Sequence, residues 1–123
     1  MNAQELLETY GKAAVVVKAH YLEKFLESMN TTDVPENFKE FAKDKGIDND
    51  TIAKMIELAP RTLFDVFDTH SIYIQINVFT GGAFSYSIIG DLATVGSTDT
   101  FPIRIEAEKV AIEEAFKVLN EKL

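Results

Sequence analysis

The sequence contains no cysteine, which excludes disulfide bonds, thiolate nucleophiles and cysteine-based zinc or iron–sulfur sites. Glycine and proline are scarce, with six and three residues among 123, so the composition is that of a globular protein and not of a fibrous or disordered one. Basic residues are outnumbered, because 12 Lys and Arg face 20 Asp and Glu, for a formal net charge of −8. A negative field repels phosphate groups, so we expect neither nucleic acid nor an anionic membrane as a partner.

The sequence shows neither the features of a secretory signal nor those of a membrane-spanning helix. The first residues, Met-Asn-Ala-Gln-Glu, are acidic where a secretory signal would be basic. The longest uncharged stretch runs from Ser71 to Gly90, but its apolar and polar residues alternate with a period of two. That alternation predicts a β-hairpin and not a membrane helix. We therefore expect a cytoplasmic protein that folds as a single domain over residues 1–123.

The N-terminal half has the periodicity of helices. A long helix is predicted from about Asn2 to Met29, opened by a capping box between Asn2 and Glu5. A short helix with Phe38 and Phe41 on its apolar side should follow. Asp48 is predicted to cap a third helix, and Pro60 to end it and open a fourth.

From Ser71 the spacing of apolar residues changes from the 3.6-residue period of a helix to the two-residue period of a strand. Two strands on either side of Gly81-Gly82 predict a hairpin, and a loop of Gly81 to Ala83 would align Ile76 with Ile88. A third strand should return over Leu92 to Val95, and Thr100 to Ile103 can add a short fourth.

The last segment predicts a closing helix. It should run from about Arg104 to Lys122, with Ala111 allowing close approach to the sheet. Its apolar stripe is predicted to consist of Ile105, Ile112, Ala115, Phe116, Leu119 and Leu123. The prediction is an α+β fold: a helical half with one long and three short helices (1–69), an antiparallel β-meander of three to four strands (70–103) and a C-terminal helix (104–123).

No catalytic constellation is recognisable, which favours a non-enzymatic protein without a cofactor. The nearest approach to a metal site is Asp65, Asp68 and His70, two carboxylates three residues apart with a histidine nearby. The alternative is a solvated helix end with a histidine near its negative terminus, and we prefer that interpretation.

One face of the predicted sheet is a better candidate site. It is uncharged and mixes aromatic with short polar side chains, a composition that suits contact with a protein or a small ligand. The N-terminal helices could equally well cover this face, since an exposed uncharged sheet invites aggregation. We call it the outer sheet face and assign to it Tyr73, Gln75, Asn77, Phe79, Ser85 and Ser87.

A second apolar stripe runs along the long N-terminal helix, about 100° from the main one. It consists of Val15, Ala19, Leu22 and Leu26. A helix on a single core needs only one stripe, so the second predicts either a homodimer contact or cover from the helices that follow. A helix of 28 residues would be about 42 Å long and could overhang its own core, which favours the dimer.

The β-meander and the closing helix resemble part of two known families. The closing helix has Ala107, Ala111 and Ala115 at intervals of four. Residues 71–123 resemble the β-β-β-α part of the double-stranded-RNA-binding fold and are similar to HicB-like antitoxins. The RNA-binding family has a lysine cluster where this chain has Arg104-Ile-Glu-Ala-Glu-Lys109, so RNA binding is not implied. The proline-containing strand motif of HicB-like proteins is also missing. In size and acidity the whole chain looks like small phage and mobile-element proteins.

Three functions are consistent with these features. The first is an acidic interaction protein, such as an inhibitor, immunity-type or accessory factor, that binds a protein partner. The negative charge is consistent with a basic surface on that partner, but we prefer the simpler interpretation that it keeps an acidic cytoplasmic protein in solution. The second is a small-molecule or nucleotide-binding protein with a pocket between the sheet and the helices. The third is a metal-dependent hydrolase built on Asp65, Asp68 and His70.

Overall fold

The computed structural model of the chain describes residues 2–30, 48–90, 94–96 and 99–123. The predicted α+β class is confirmed, since the described residues form helices and a three-stranded antiparallel sheet. The helices are α1 (Ala3–Thr9), α2 (Gly11–Asn30), α3 (Asn49–Leu58), α4 (Pro60–Thr69) and α5 (Arg104–Lys122). The strands are β1 (Tyr73–Phe79), β2 (Ala83–Ile89) and β3 (Thr94–Gly96). The chain divides into two compact units, Met1–Leu63 and Phe64–Leu123.

The N-terminal helix is interrupted, so the prediction of one continuous helix was wrong. Its capping box is confirmed, because the Glu5 N–H donates to Asn2 Oδ1 over 2.8 Å and the Asn2 N–H donates to Glu5 Oε1 over 3.3 Å. At Tyr10 the backbone leaves the helical region, with φ −110° and ψ 71°. Gly11 follows at the break, and glycine is a poor helix former, so the helix loses little by breaking there. Both Leu7 and Ala14 are buried across the interruption.

The third predicted helix is confirmed as α3, with its cap. The Thr51 N–H donates to Asp48 Oδ1 over 2.8 Å, and this hydrogen bond to the ionised carboxylate lowers the pKa of Asp48. α3 buries Ile52, Ala53 and Ile56, and it packs chiefly against α1. The predicted short helix with Phe38 and Phe41 lies outside the described residues.

α4 ends in a compact turn that leads directly into the sheet. The Ile72 N–H donates to the Phe67 carbonyl and the Ser71 N–H to the Asp68 carbonyl, the two bonds of a Schellman motif. The left-handed position of this motif is usually glycine but is here Ser71, with φ 59°. Phe67 and Ile72 are both buried, and the Phe67 ring meets the Phe116 ring edge-to-face at 5.6 Å.

The β1–β2 hairpin forms with the predicted faces but in a different register. Ile76 pairs with Tyr86 and Val78 with Phe84, which is two residues from the predicted alignment of Ile76 with Ile88. The loop is therefore Thr80 to Gly82, because the two residues with positive φ are Gly81 (100°) and Gly82 (86°). The Gly82 N–H donates to the Phe79 carbonyl, so Gly81 takes the turn position that requires positive φ.

The third strand is short and the predicted fourth strand is reduced to a single bridge. β3 pairs with β2 through Ser87 with Gly96, Ile88 with Val95 and Ile89 with Thr94. Beyond it, Phe101 exchanges two backbone hydrogen bonds with Phe84, of 2.8 and 2.7 Å. Leu92 and Ala93, which were assigned to the third strand, lie outside the described residues.

The closing helix has the predicted bounds, and the predicted burial of Ala115, Phe116 and Leu119 is confirmed, but Ile105 and Leu123 are exposed. Small residues at intervals of four, Ala107, Ala111 and Ala115, are fully buried together with Phe116 and Leu119. Ile105, predicted to lie in the stripe, is 60% exposed, and Ile112 is only half-buried. Because alanine is short, this face lets α5 lie close to β1 and β2, which it contacts.

Candidate functional site

The outer sheet face is assembled as a surface on the hairpin. Side chains alternate along a strand, so Tyr73, Gln75, Asn77 and Phe79 share one face of β1. The register places Asn77 opposite Ser85 and Gln75 opposite Ser87, which adds both serines to that face. All six residues predicted for this site therefore lie on the same side of the sheet.

The centre of this face is a small polar network. The Asn77 side-chain amide donates to the hydroxyls of Ser85 and Ser87, each over 3.3 Å. Ser85 is 8% exposed, while Asn77 and Ser87 are half-buried. One amide bonded to two hydroxyls on the neighbouring strand fixes the rotamer of Asn77 before any partner arrives.

Two aromatic side chains flank the network at the ends of β1. Tyr73 is 47% and Phe79 49% exposed, and Gln75 between them is exposed as well. Two half-exposed rings on one uncharged strand make this row a candidate contact surface. The β1 row of this face is therefore mainly exposed, whereas Ser85 in the β2 row is buried.

The opposite face of the sheet carries α5. The Arg104 guanidinium lies over the Phe84 ring, 5.4 Å from its centroid, so the start of α5 is on the side of Phe84 and Tyr86. Tyr86 is buried there, and burial, with the negative charges of Glu114 and Glu113, raises the pKa of its hydroxyl. This face is structural, because its side chains form the core between sheet and helix.

A groove of about 300 Å³ lies in the helical unit, lined by Tyr21, Lys24, Phe25, Met55, Leu58, Ala59 and Thr62. The predicted pocket between the sheet and the helices is a different site, because this groove is formed by α2, α3 and the start of α4. Its Tyr21 hydroxyl donates to the Ala59 carbonyl over 3.0 Å, and its Lys24 pairs with Glu27 at 3.6 Å. The groove is open and mainly apolar, and these polar groups are already engaged within the unit, so it offers few contacts that would orient a nucleotide.

The second stripe of the N-terminal helix is partly covered. Leu22 and Leu26 are half-buried, whereas Val15 is 69% exposed and Ala19 is exposed. The break at Tyr10 also shortens the helix, because the 20 residues of α2 span about 30 Å and not the 42 Å expected. The argument that a long helix overhangs its core was therefore wrong, and the exposed apolar strip is small.

The candidate metal ligands are not drawn together. Asp65 and Asp68 are exposed on α4, and the carbonyl of His70 accepts a hydrogen bond from the Lys122 amine. Within the described ranges, no three His, Asp or Glu side chains form a cluster that could hold a metal ion. The arrangement therefore matches a solvated helix end more closely than a ligand set.

Sequence reasoning missed one feature of the sheet, the exposure of its β1 edge. Strand alternation places Val78 on the same face as Ile88, yet Val78 is 60% exposed, although Ile88 is fully buried. The signal was present in the order of the strands: in a meander the first strand is an edge strand, and its side chains near the turn have a neighbour on one side only.

Comparison with protein-family models, with curated proteins and with solved structures found no match to this chain. Among the helices of the described residues, none is long and apolar enough to cross a membrane.

Proposed function

We propose that this chain is a non-enzymatic, acidic interaction protein that binds a protein partner through the outer sheet face. The observation that carries the proposal is the pairing of two half-exposed rings, Tyr73 and Phe79, with an ordered and uncharged polar network on a rigid strand pair.

The chemistry of this face suits protein recognition. Aromatic rings supply contact area at little cost in side-chain entropy, and amide and hydroxyl groups adapt their hydrogen bonds to a partner. Because Asn77 is already held by Ser85 and Ser87, binding would lose little further conformational freedom. Such a face favours a protein over a compact metabolite, since it is a surface and not a concave pocket.

The charge of the chain indicates the character of the partner. The face itself is uncharged, but the whole chain carries −8. A negative field speeds the encounter with a basic partner, while the central contacts remain apolar and polar. We therefore expect a partner with basic groups around an apolar contact patch. A cytoplasmic inhibitor, immunity-type or accessory factor from a phage or mobile element would fit this description.

Affinity capture with matched variants tests the proposal. The wild-type chain, immobilised as bait in lysate of its source cells, should retain a protein that Tyr73→Ala/Phe79→Ala loses by at least tenfold. The control is Val15→Ala/Leu58→Ala, which removes two other exposed apolar side chains and should retain the partner. Equal capture by all three baits, or loss in the control alone, would contradict the assignment of the site.

A further inference from the structure

Among the described strands, β1 lies at one edge of the sheet, and the backbone geometry shows which of its groups point outward. Phe84 uses its N–H and its C=O to bond Phe101, so these groups point away from β1. The pair of Val78 with Phe84 is therefore one that lacks direct hydrogen bonds. Pairs alternate along an antiparallel ladder, so the N–H and C=O of Ile74, Ile76 and Val78 all point to the outer edge. No hydrogen bond joins these outward groups to another part of the described chain.

This edge has none of the usual protection against strand pairing. Natural edge strands are short, or carry lysine, proline or a bulge. β1 is seven residues long, Tyr-Ile-Gln-Ile-Asn-Val-Phe, with no charge, proline or glycine, and it pairs with β2 without a bulge. The strand at the opposite edge, β3, is protected in the usual way, because it has only three residues. An unprotected edge of this length is expected to pair with another strand.

We propose that the β1 edge pairs with the β1 edge of a second copy, antiparallel and two-fold symmetric about Ile76. In this register Ile76 faces its own copy, and Ile74 faces Val78 of the second copy. All the outward N–H and C=O groups then find partners, and the two sheets become one continuous sheet.

The side chains are self-complementary in the same register. On the α5 side, Ile74 meets valine and Ile76 meets isoleucine. On the other side, Tyr73 meets Phe79 of the second copy, an aromatic cross-strand pair, and Gln75 meets Asn77, whose amides can hydrogen-bond. Each copy carries −8, so contact through a charged surface would be repelled. The uncharged β1 edge lets two copies meet without like charges opposite each other.

The size of this contact predicts a weak dimer. At about 3.3 Å per residue the strand is about 23 Å long, and an edge about 10 Å wide covers far less than the roughly 800 Å² per partner of stable complexes. We expect a monomer in dilute solution and a dimer at protein concentrations of about 0.1 to 1 mM. The contact leaves the polar centre of the outer sheet face open but also engages the rings of Tyr73 and Phe79, so the dimer and the proposed protein partner share these two side chains.

Sedimentation equilibrium of proline and threonine variants tests the pairing. Val78→Pro removes an outward N–H without breaking a bond to β2, so the variant should stay folded by circular dichroism and dimerise at least tenfold more weakly. Val78→Thr keeps the N–H and should dimerise within about threefold of the wild type. A wild type that is monomeric at about 1 mM, or a folded Val78→Pro that dimerises normally, would overturn the proposal. Loss of the dimer in Leu22→Glu/Leu26→Glu but not in Val78→Pro would do so too, by placing the contact on α2.

Cysteine crosslinking tests the register and does not depend on Val78→Pro folding. The natural chain has no thiol, so an introduced cysteine reports only its own contact. Directly opposite residues of a hydrogen-bonded pair have Cα atoms about 5.5 Å apart, within disulfide range, so Ile76→Cys should crosslink to its copy under mild oxidation. In Val78→Cys the two sites are four residues out of register, about 13 Å apart, and should not crosslink. Equal crosslinking of the two variants, or none in Ile76→Cys at about 1 mM, would contradict the register.

Discussion

At the scale of single residues, Ser71 occupies a backbone position that its side chain does not favour. It has φ 59° at the left-handed site of the Schellman motif between α4 and β1. A residue with a Cβ atom costs free energy in this region, and glycine does not. The motif persists because its two hydrogen bonds bring Phe67 and Ile72 into the core together.

Replacing Ser71 with glycine should therefore stabilise the protein. We expect Ser71→Gly to raise the free energy of unfolding by about 0.5–1 kcal/mol, after the extra freedom of glycine in the unfolded chain is subtracted. Urea unfolding followed by circular dichroism measures the change. Ser71→Ala keeps the Cβ atom and should show no gain, so an equal increase in both variants would mean that the hydroxyl, and not the backbone, is responsible.

The residues of the candidate site could be identified from the sequence because strand alternation fixes which side chains share a face. The alternation of side chains along β1 is enough to predict that Tyr73, Gln75, Asn77 and Phe79 share one face. The burial of Ser85 and the exposure of Val78 could not be identified in this way. Burial depends on what packs over a position, and a period describes only the strand on which the position lies.

At the scale of elements, the type and order of the described helices and strands could be predicted, but their joints and packing faces could not. Asn2 and Asp48 marked helix starts correctly because capping is a local hydrogen bond. The break at Tyr10 was missed, since the apolar stripe continues in phase across it. The register shifted because Gly81 and Gly82 both take positive φ, which places the loop one residue earlier than expected.

The face of α5 that packs on the sheet shows the same limit and gives a prediction. Ala111 and Ala115 were expected on the side of the sheet and are buried, as close approach requires. The predicted stripe also included Ile105, which is exposed, and left out Ala107, which is fully buried. Ala111→Leu should lower the free energy of unfolding by about 1–3 kcal/mol through overpacking. Ile105→Ala, on the exposed side, should change it by less than about 0.5 kcal/mol.

Thermal and urea unfolding of these two variants measure the difference. The order of the two effects is the decisive result. If Ile105→Ala were the more destabilising change, Ile105 would lie in the core and the buried position of Ala111 would be wrong.

At the scale of the whole molecule, an acidic chain carries an uncharged strand pair with exposed rings. The net charge of −8 gives the molecule a negative field that repels phosphates and disfavours contact between copies through charged surfaces. Because the hairpin is uncharged, another molecule can approach it with less electrostatic repulsion than it would meet at a charged surface. The outer sheet face and the β1 edge are adjacent parts of this hairpin, and they are assigned to different partners, a basic protein and a second copy.

Site-specific photo-crosslinking tests the central claim, partner binding by the outer sheet face, most directly. A photoreactive phenylalanine analogue placed at Phe79 or at Val15 samples two exposed apolar positions, one on the outer sheet face and one on α2. After irradiation in lysate of the source cells, mass spectrometry separates adducts with another protein from adducts of twice the chain's own mass. The protein adduct from position 79 should be at least tenfold more abundant than the one from position 15. A protein adduct from position 15 with none from position 79 would contradict this claim.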